Sequence, residues 1–408
     1  MNLLLSNPVK IMIWAACLLL LTGCPSKPKE ERPQAPGLVQ VPAEQLPALA
    51  DDLDADSLRR VIQQSLVFYG RVPPERTYAL GHLQVRADRL KASLQEFLNL
   101  LNAQQLDSHT IARTFDVYRF QPGENQVDLL LTGYYEPILS GSLERTDLYR
   151  YPLYQAPPDL LTIDLESFNP ELYAGKTLRG RLDGKRVVPY FDREEIDGRG
   201  KLLGQGLEMV WLQDILDVFF LQIQGSGMIE LPDGKRARVG YAASNGRPYR
   251  SIGKYLLKKG ALQREEISLQ SIRAYLRAHP DMMDEVLWHN ESYVFFRWVQ
   301  DGPLGSLNVP LTDGRSIATD PEFFPRGGIA YLSSEKPRLD TNGRVIAWEP
   351  LNRWVLNQDA GGAIKGPGRA DLFCGSGEAA EQIAGRLKHP GTIYFLIKKQ
   401  SGDHGEAP

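Results

Sequence analysis

Cysteine is scarce in this chain of 408 residues, which has only three, at positions 17, 24 and 374. Three cysteines cannot build a disulfide-stapled scaffold, and the length makes one unnecessary, because 408 residues suffice for two or three domains with a full apolar core. Histidine is equally thin, at six, and no two histidines stand at metal-ligand spacing. Cys374 has no cysteine neighbour either, so a zinc hydrolase is disfavoured. Charge of one sign is missing as well. Lys and Arg number 47 against 50 Asp and Glu, a formal net charge of −3, which leaves no electrostatic footprint for nucleic acid. Residues 11–21 form an apolar run of eleven behind Lys10, too short to span a bilayer and of the length expected for the core of an export signal.

What is plentiful is glycine (37) and proline (28), which predicts many turns and short strands rather than a helical bundle; apolar residues at 42% and charged residues at 24% are those of an ordinary globular protein. The apolar run closes with Leu21-Thr22-Gly23-Cys24, which resembles the lipobox of bacterial lipoproteins. The resemblance implies that residues 1–23 are removed and that Cys24 carries lipid. Cys17 then leaves with the signal, and Cys24 and Cys374 form no disulfide. Pro25 stands where inner-membrane lipoproteins usually have Asp, which by the same resemblance implies an outer-membrane lipoprotein facing the periplasm. From 24 to 51 the prolines at 25, 28, 33, 36, 42 and 47 predict an extended tether.

Two amphipathic helices are expected to open the folded part. Leu58, Val61, Ile62, Leu66 and Tyr69 follow the helical period behind a candidate cap at Ser57, and Leu90, Leu94, Phe97, Leu98 and Leu101 repeat it. After the apolar run 127–131, the chain to about Gly260 reads as short β-like segments broken by Gly and Pro. Residues 268–276 and 283–289 read as helices separated at Pro280, and 307–332 is β-like again, with turns at 313–314 and 326–328. The last residues, 401–408, read as a tail.

Few motifs carry chemistry. Ser251 with Lys254, and Ser333 with Lys336, have the Ser-x-x-Lys spacing of penicillin-binding enzymes, but neither is followed by the partner motifs and both are read as chance. Gly375-Ser376-Gly377 is too near the C-terminus to open a nucleotide-binding sheet and reads as a turn into a short helix. The distinctive stretch runs from Asp359 through Gly361, Gly362, Lys365, Gly366 and Arg369 to Asp371, two carboxylates twelve positions apart around a glycine-rich bend. Glycines let backbone approach a ligand. Two acids held close can keep one carboxyl protonated as a general acid, the chemistry of glycosidic cleavage. The bland alternative is a solvated loop with two ordinary aspartates.

That stretch resembles the C-terminal motif of the membrane-bound lytic murein transglycosylase A family and of the wider group named for three aspartates. The three are Asp320 in Ala318-Thr319-Asp320-Pro321, Asp359 and Asp371. Upstream, Thr132-Gly133-Tyr134-Tyr135-Glu136-Pro137, Leu221-Gln222-Ile223-Gln224-Gly225-Ser226-Gly227 and Tyr241-Ala242-Ala243-Ser244-Asn245-Gly246 are similar to that family's blocks, in its order, and the likeness runs from about residue 60 to 398. One departure is a segment between Gly366 and Asp371 that is one residue longer than in the enteric form, which leaves open the shape of the loop presenting Asp371.

The resemblance implies a mainly β fold with flanking α-helices. A double-psi β-barrel would span residues 52–139 and 301–400, with an inserted second β-rich domain at 140–300 and a glycan groove between them. It implies Asp371 as catalytic acid with Asp359 supporting it, and Thr132, Tyr134, Gln222, Gln224, Ser226, Asn245, Gly361, Gly362, Lys365 and Asp320 as substrate-binding groups. The function implied is a lytic transglycosylase that cleaves the β-1,4 bond between N-acetylmuramic acid and N-acetylglucosamine of peptidoglycan and leaves 1,6-anhydromuramic ends. By the same resemblance, neither a metal nor an organic cofactor is needed. The alternatives are a hydrolytic muramidase and a non-enzymatic peptidoglycan-binding lipoprotein. Expected partners are peptidoglycan glycan strands and, through lipid on Cys24, the membrane, with cell-wall synthesis or division proteins as candidates.

Overall fold

In the computed structural model, residues 37–122, 129–173, 175–264 and 267–400 are described. The expected signal, Cys24, the tether up to residue 36 and the 401–408 tail lie outside the described residues.

Six strands close on themselves. They are β1 (Leu129–Glu136), β2 (Ser316–Ala318), β3 (Ile329–Leu339), β4 (Val345–Asp359), β5 (Arg369–Ser376) and β6 (Lys388–Lys398). Around the barrel the order is β1-β5-β2-β4-β3-β6 and back to β1. Two pairs, β1 with β5 and β2 with β4, run parallel, while the others are antiparallel. Parallel neighbours need long crossovers, and here residues 138–299 lie between β1 and β2. This is the mainly β architecture with a closed barrel that the resemblance implies.

The barrel's outer side is widened by Phe115–Gln121 on β6 and by Gly37–Gln40 beyond it. That corrects the tether. Residues 37–51 are folded, with Leu38, Val41 and Leu49 in the core and Asp51 paired with Arg315, because the apolar residues between the prolines find a sheet edge and a helix pair to bury against. Helices α1 (Ala55–Tyr69) and α2 (Ala87–Asn102) cover the barrel; Asp54, not Ser57, caps α1, its carboxylate accepting the Ser57 amide. Trp354 of β4 is buried between barrel and helix, its ring 4.7 Å from the Phe97 ring of α2.

From Pro137 the chain passes directly into a second sheet. Its strands are Ile138–Ser142, Tyr151–Tyr154, Glu208–Leu212, Ser226–Glu230, Arg236–Ser244 and Val294–Val299, all lying between β1 and β2 in the chain. Within the stretch expected to be β-like sits α3 (Ile215–Gln224), which carries Gln222 and Gln224. Asp214 caps it and Gly225, at φ 79°, ends it. Its run of Val218, Phe219, Phe220 and Leu221 mimics a strand because a buried helix is apolar on most of its surface. Helices Ile252–Lys258, Leu269–Ala278 and Met283–Trp288 pack with α3 around Leu216, Phe219, Leu256 and Val286.

Candidate active site

Strand register brings the site together. Ala318 of β2 is the Cα partner of Asp371 on one side and of Asp359 on the other. The two aspartates are therefore two strand spacings apart, roughly 9–10 Å at the backbone. On the other flank of β5, Asp371 is opposite Thr132 of β1. Thr132 and Tyr134 alternate with Gly133, so both side chains face the same side. Gly133 faces the other, where a Cβ would lie 2.8 Å from the Ala384 Cα and 3.0 Å from the Cys374 sulfur, so only glycine lets β1 press onto helix α4 (Gly377–Ala384).

Asp371 is heavily hydrogen-bonded. The Thr132 hydroxyl donates to its Oδ1, and Arg369 donates through Nε to Oδ1 at 3.0 Å and through a terminal nitrogen to Oδ2 at 3.2 Å. Arg369 also donates to the Thr132 hydroxyl oxygen at 3.3 Å and to the Ala363 carbonyl at 3.4 Å. The Arg369 side chain is 33% exposed and that of Asp371 13%, so the pair sits at the floor of an open site rather than in the core.

Asp359 ends β4 and accepts three hydrogen bonds: from the amides of Ser306 and Ala360, both at 2.8 Å, and from the Tyr134 hydroxyl at 3.0 Å. Burial raises its carboxyl above the ordinary value, against the pull of these three donors and of the Arg326 cation. Tyr134 is affected from both sides. Burial first, then the charge and hydrogen bond of Asp359 and the charge of Asp371, push its phenol well above the ordinary range, so it stays a neutral donor between the two acids. The Cys374 thiol, on the far side of β5 from Asp371, is pushed up to about 12, mainly by burial, and is inert at neutral pH.

Other expected site residues are placed differently. Gly361, Gly362 and Lys365 lie on the loop leaving Asp359, with Gly362 and Lys365 exposed. Asp320 is buried and accepts the amides of Glu322 at 3.1 Å and Gly366 at 2.8 Å, so it shapes that loop from beneath. Asn245 is 1% exposed and fully engaged: its amide nitrogen donates to the carbonyls of Phe191 and Glu291, and its oxygen accepts the amides of Arg247 and Tyr293. Its side-chain capacity is spent on the protein, so it holds the loop that follows the strand Arg236–Ser244. The buried Gln222 accepts from Arg193 at 2.6 Å, while its nitrogen meets no protein partner. Gln224 accepts the Tyr135 amide at 3.0 Å and so pins α3 to β1. Ser226 is buried opposite Gly240.

Several site groups carried no sequence assignment. Arg369 was legible in principle, since two positions before Asp371 on a strand puts both on one face. Ser306 and Arg326 had no local signal. Tyr249, on the loop after the strand Arg236–Ser244 of the insertion, is within electrostatic range of Arg369 and Asp371, and burial raises its phenol. Among the described residues no group of three or more His, Cys, Asp and Glu converges as a metal site.

This arrangement defines a class: a closed barrel with a large β insertion, presenting Asp371 with Thr132 and Arg369 and, two strands away, Asp359 with Tyr134. The MltA specific insert domain family matches residues 130–297, and the 3D domain family matches residues 315–397. The membrane-bound lytic murein transglycosylase A of Escherichia coli (strain K12) is 31% identical over 284 residues, 69% of this chain and 69% of the relative. That of Vibrio cholerae is 30% identical over 74% of this chain and 75% of its own. The crystal structure of a membrane-bound lytic murein transglycosylase from Agrobacterium tumefaciens superposes with a TM-score of 0.73 at 33% identity, covering 88% of this chain and 97% of that one. Escherichia coli MltA with bound chitohexaose gives 0.66 at 25% identity, covering 93% and 100%. The chain belongs to the membrane-bound lytic murein transglycosylase A family.

Proposed function

We propose that this chain is a peptidoglycan lytic transglycosylase that cleaves the β-1,4 bond between N-acetylmuramic acid and N-acetylglucosamine without water as co-substrate. The observation that carries the reading is Asp371, held by Thr132 and Arg369 on the barrel floor with Asp359 and Tyr134 beside it, in a chain of this family. Asp371 gives a proton to the leaving glycosidic oxygen as the C1–O bond breaks. The substrate's own N-acetyl oxygen stabilises the charge developing at C1. The Asp371 carboxylate then takes the proton of the C6 hydroxyl, whose oxygen bonds to C1 and closes the 1,6-anhydro ring. Intramolecular attack gains from high effective concentration and needs no positioned water. Asp359 acts through Tyr134, which fixes the wall of the site next to Asp371.

In this reading the glycan lies over Gly361, Gly362 and Lys365, between the barrel (52–139 and 301–400) and the insertion (140–300), with Tyr249 on the insertion side. Zymography on purified sacculi tests it: the wild-type protein clears murein, and clearing by a folded Asp371→Asn protein would overturn the assignment of Asp371. The family's membrane-bound relatives support a membrane-associated enzyme acting on the wall. The finer placement, an outer-membrane lipoprotein anchored through Cys24 and facing the periplasm, rests on Leu21-Thr22-Gly23-Cys24 and Pro25. Cell-wall synthesis or division proteins remain candidate partners.

A further inference from the structure

A small sheet within the insertion is built inside out. Its strands Leu161–Asp164, Thr177–Asp183 and Arg186–Pro189 are antiparallel, with Ile163 opposite Leu178 and Leu182 opposite Val187. Opposite residues share a face, so Ile163, Leu178, Leu182, Val187 and Pro189 make one side apolar while Arg179 and Arg181 take the other. The arginine side is the one turned to the protein: Arg181 stacks 4.4 Å from the Phe191 ring centre, and a Cβ on Gly246 would lie 2.6 Å from the Arg179 Cβ. The apolar side faces outward, with Leu178 and Leu182 more than half exposed. The connection between the first two strands adds Phe168, 78% exposed, and Leu172. A half-buried antiparallel sheet normally does the reverse, and a soluble surface rarely shows a clustered apolar face of this kind without a partner for it.

We propose that this face is a second membrane contact, resting on the phospholipid surface to which Cys24 ties the chain. The proposal rests on the reading of Cys24 as lipid anchor. From Cys24 to the first described strand at Gly37 there are thirteen residues, which reach at most ~45 Å when extended, so the folded part never leaves the neighbourhood of the bilayer. A patch too weak to bind from solution is then engaged by its high local concentration, as paired membrane signals are. The rim is mixed in charge: Lys176, Lys185 and Arg186 are exposed at the turns, Arg186 facing Asp183 at 3.6 Å, and Asp164, Glu166 and Glu171 are acidic, so the apolar face and not the rim carries the contact.

The test uses the mature lipoprotein purified from membranes and reconstituted into vesicles of phosphatidylethanolamine and phosphatidylglycerol at a 3:1 ratio. An environment-sensitive fluorophore is placed at Leu182→Cys or, as control, at Asn342→Cys on the exposed turn between β3 and β4. Cys374, which is only partly buried, is replaced by Ser in every labelled protein. At position 182 a blue shift, a several-fold rise in emission and quenching by brominated lipids are expected, and at 342 none. Adding Leu178→Ser and Val187→Ser to the 182-labelled protein should abolish the response while murein cleavage persists. No shift at 182, or equal shifts at both positions, overturns the proposal. A shift that needs no vesicles and grows with protein concentration also overturns it, in favour of a contact between copies. Intact mass keeps the anchor separate. An unlipidated Cys24 overturns the anchor reading and the proposal with it, whereas a lipidated protein with no shift at 182 overturns the proposal alone.

Discussion

Asp371 takes up three hydrogen bonds from two side chains, Thr132 and Arg369, and this fixes the direction of its oxygens before any substrate arrives. A positioned proton donor contributes about 10²–10⁴ in rate, so Asp371→Asn is expected to lose about that factor in murein turnover with folding intact, as measured by muropeptide release and circular dichroism. Tyr134→Phe removes one donor to Asp359, a net loss of about 1 kcal/mol in stability, and leaves partial activity. Asp359 itself reports through pH. Its folded carboxyl lies above the ordinary 3.8 because of burial, so the folded state holds the proton more tightly than the unfolded chain. Between 3.8 and the raised folded value, stability therefore falls as pH rises. Melting curves of Asp359→Asn against wild type across that window should shift in favour of the variant as pH increases; a constant difference would contradict the raised carboxyl. The two acids around a glycine bend were legible because the motif is local. Asn245 and Asp320 are engaged with buried backbone groups of the protein, which the sequence does not reveal because a polar residue in a loop block looks the same whether it binds a ligand or satisfies buried amides.

Strands and helices position the site through a few close approaches. At Gly133, β1 lies against α4, and a Cβ there would stand 2.8 Å from the Ala384 backbone. Gly133→Val is expected to cost about 1–3 kcal/mol by overpacking and to lower activity further by moving Thr132 and Tyr134 off their partners; a thermal melt beside a turnover assay separates the two effects. Arg315 has the opposite character. It is fully buried and binds Asp51, the Ser57 hydroxyl and the carbonyls of Asp54 and Trp354, clamping the segment before α1 to the barrel. Elements with strong local period, such as α1 and α2, were legible in the sequence. α3 was not, because its aromatic and aliphatic run lacks a polar face, and the 37–51 segment was not, because its prolines hide a strand that only the barrel edge reveals. The barrel crossing was out of reach, since Asp371 pairs with Thr132 across 239 positions.

The whole molecule depends on how the insertion sits on the barrel. Arg238 of the second sheet donates to Glu136, at the end of β1, at 2.6 and 3.2 Å, and Ser376 of β5 donates to the same carboxylate at 2.7 Å. Glu136 is fully buried, so Glu136→Ala leaves Arg238 unpaired and is expected to cost about 3–5 kcal/mol. If the glycan lies between barrel and insertion as proposed, this joint orients the two walls that face it, and the surviving enzyme should show a raised KM more than a lowered kcat. A change in kcat alone would mean the joint does not shape the groove. At the membrane, a palmitate analogue should label the wild-type protein and spare Cys24→Ala. The most direct test of the central claim is the product formed in water enriched in heavy oxygen. Mass spectrometry of the released muropeptides should find 1,6-anhydromuramic ends, one water lighter than hydrolytic ends and free of label; reducing ends that carry the heavy oxygen would make the protein a hydrolase and contradict the account.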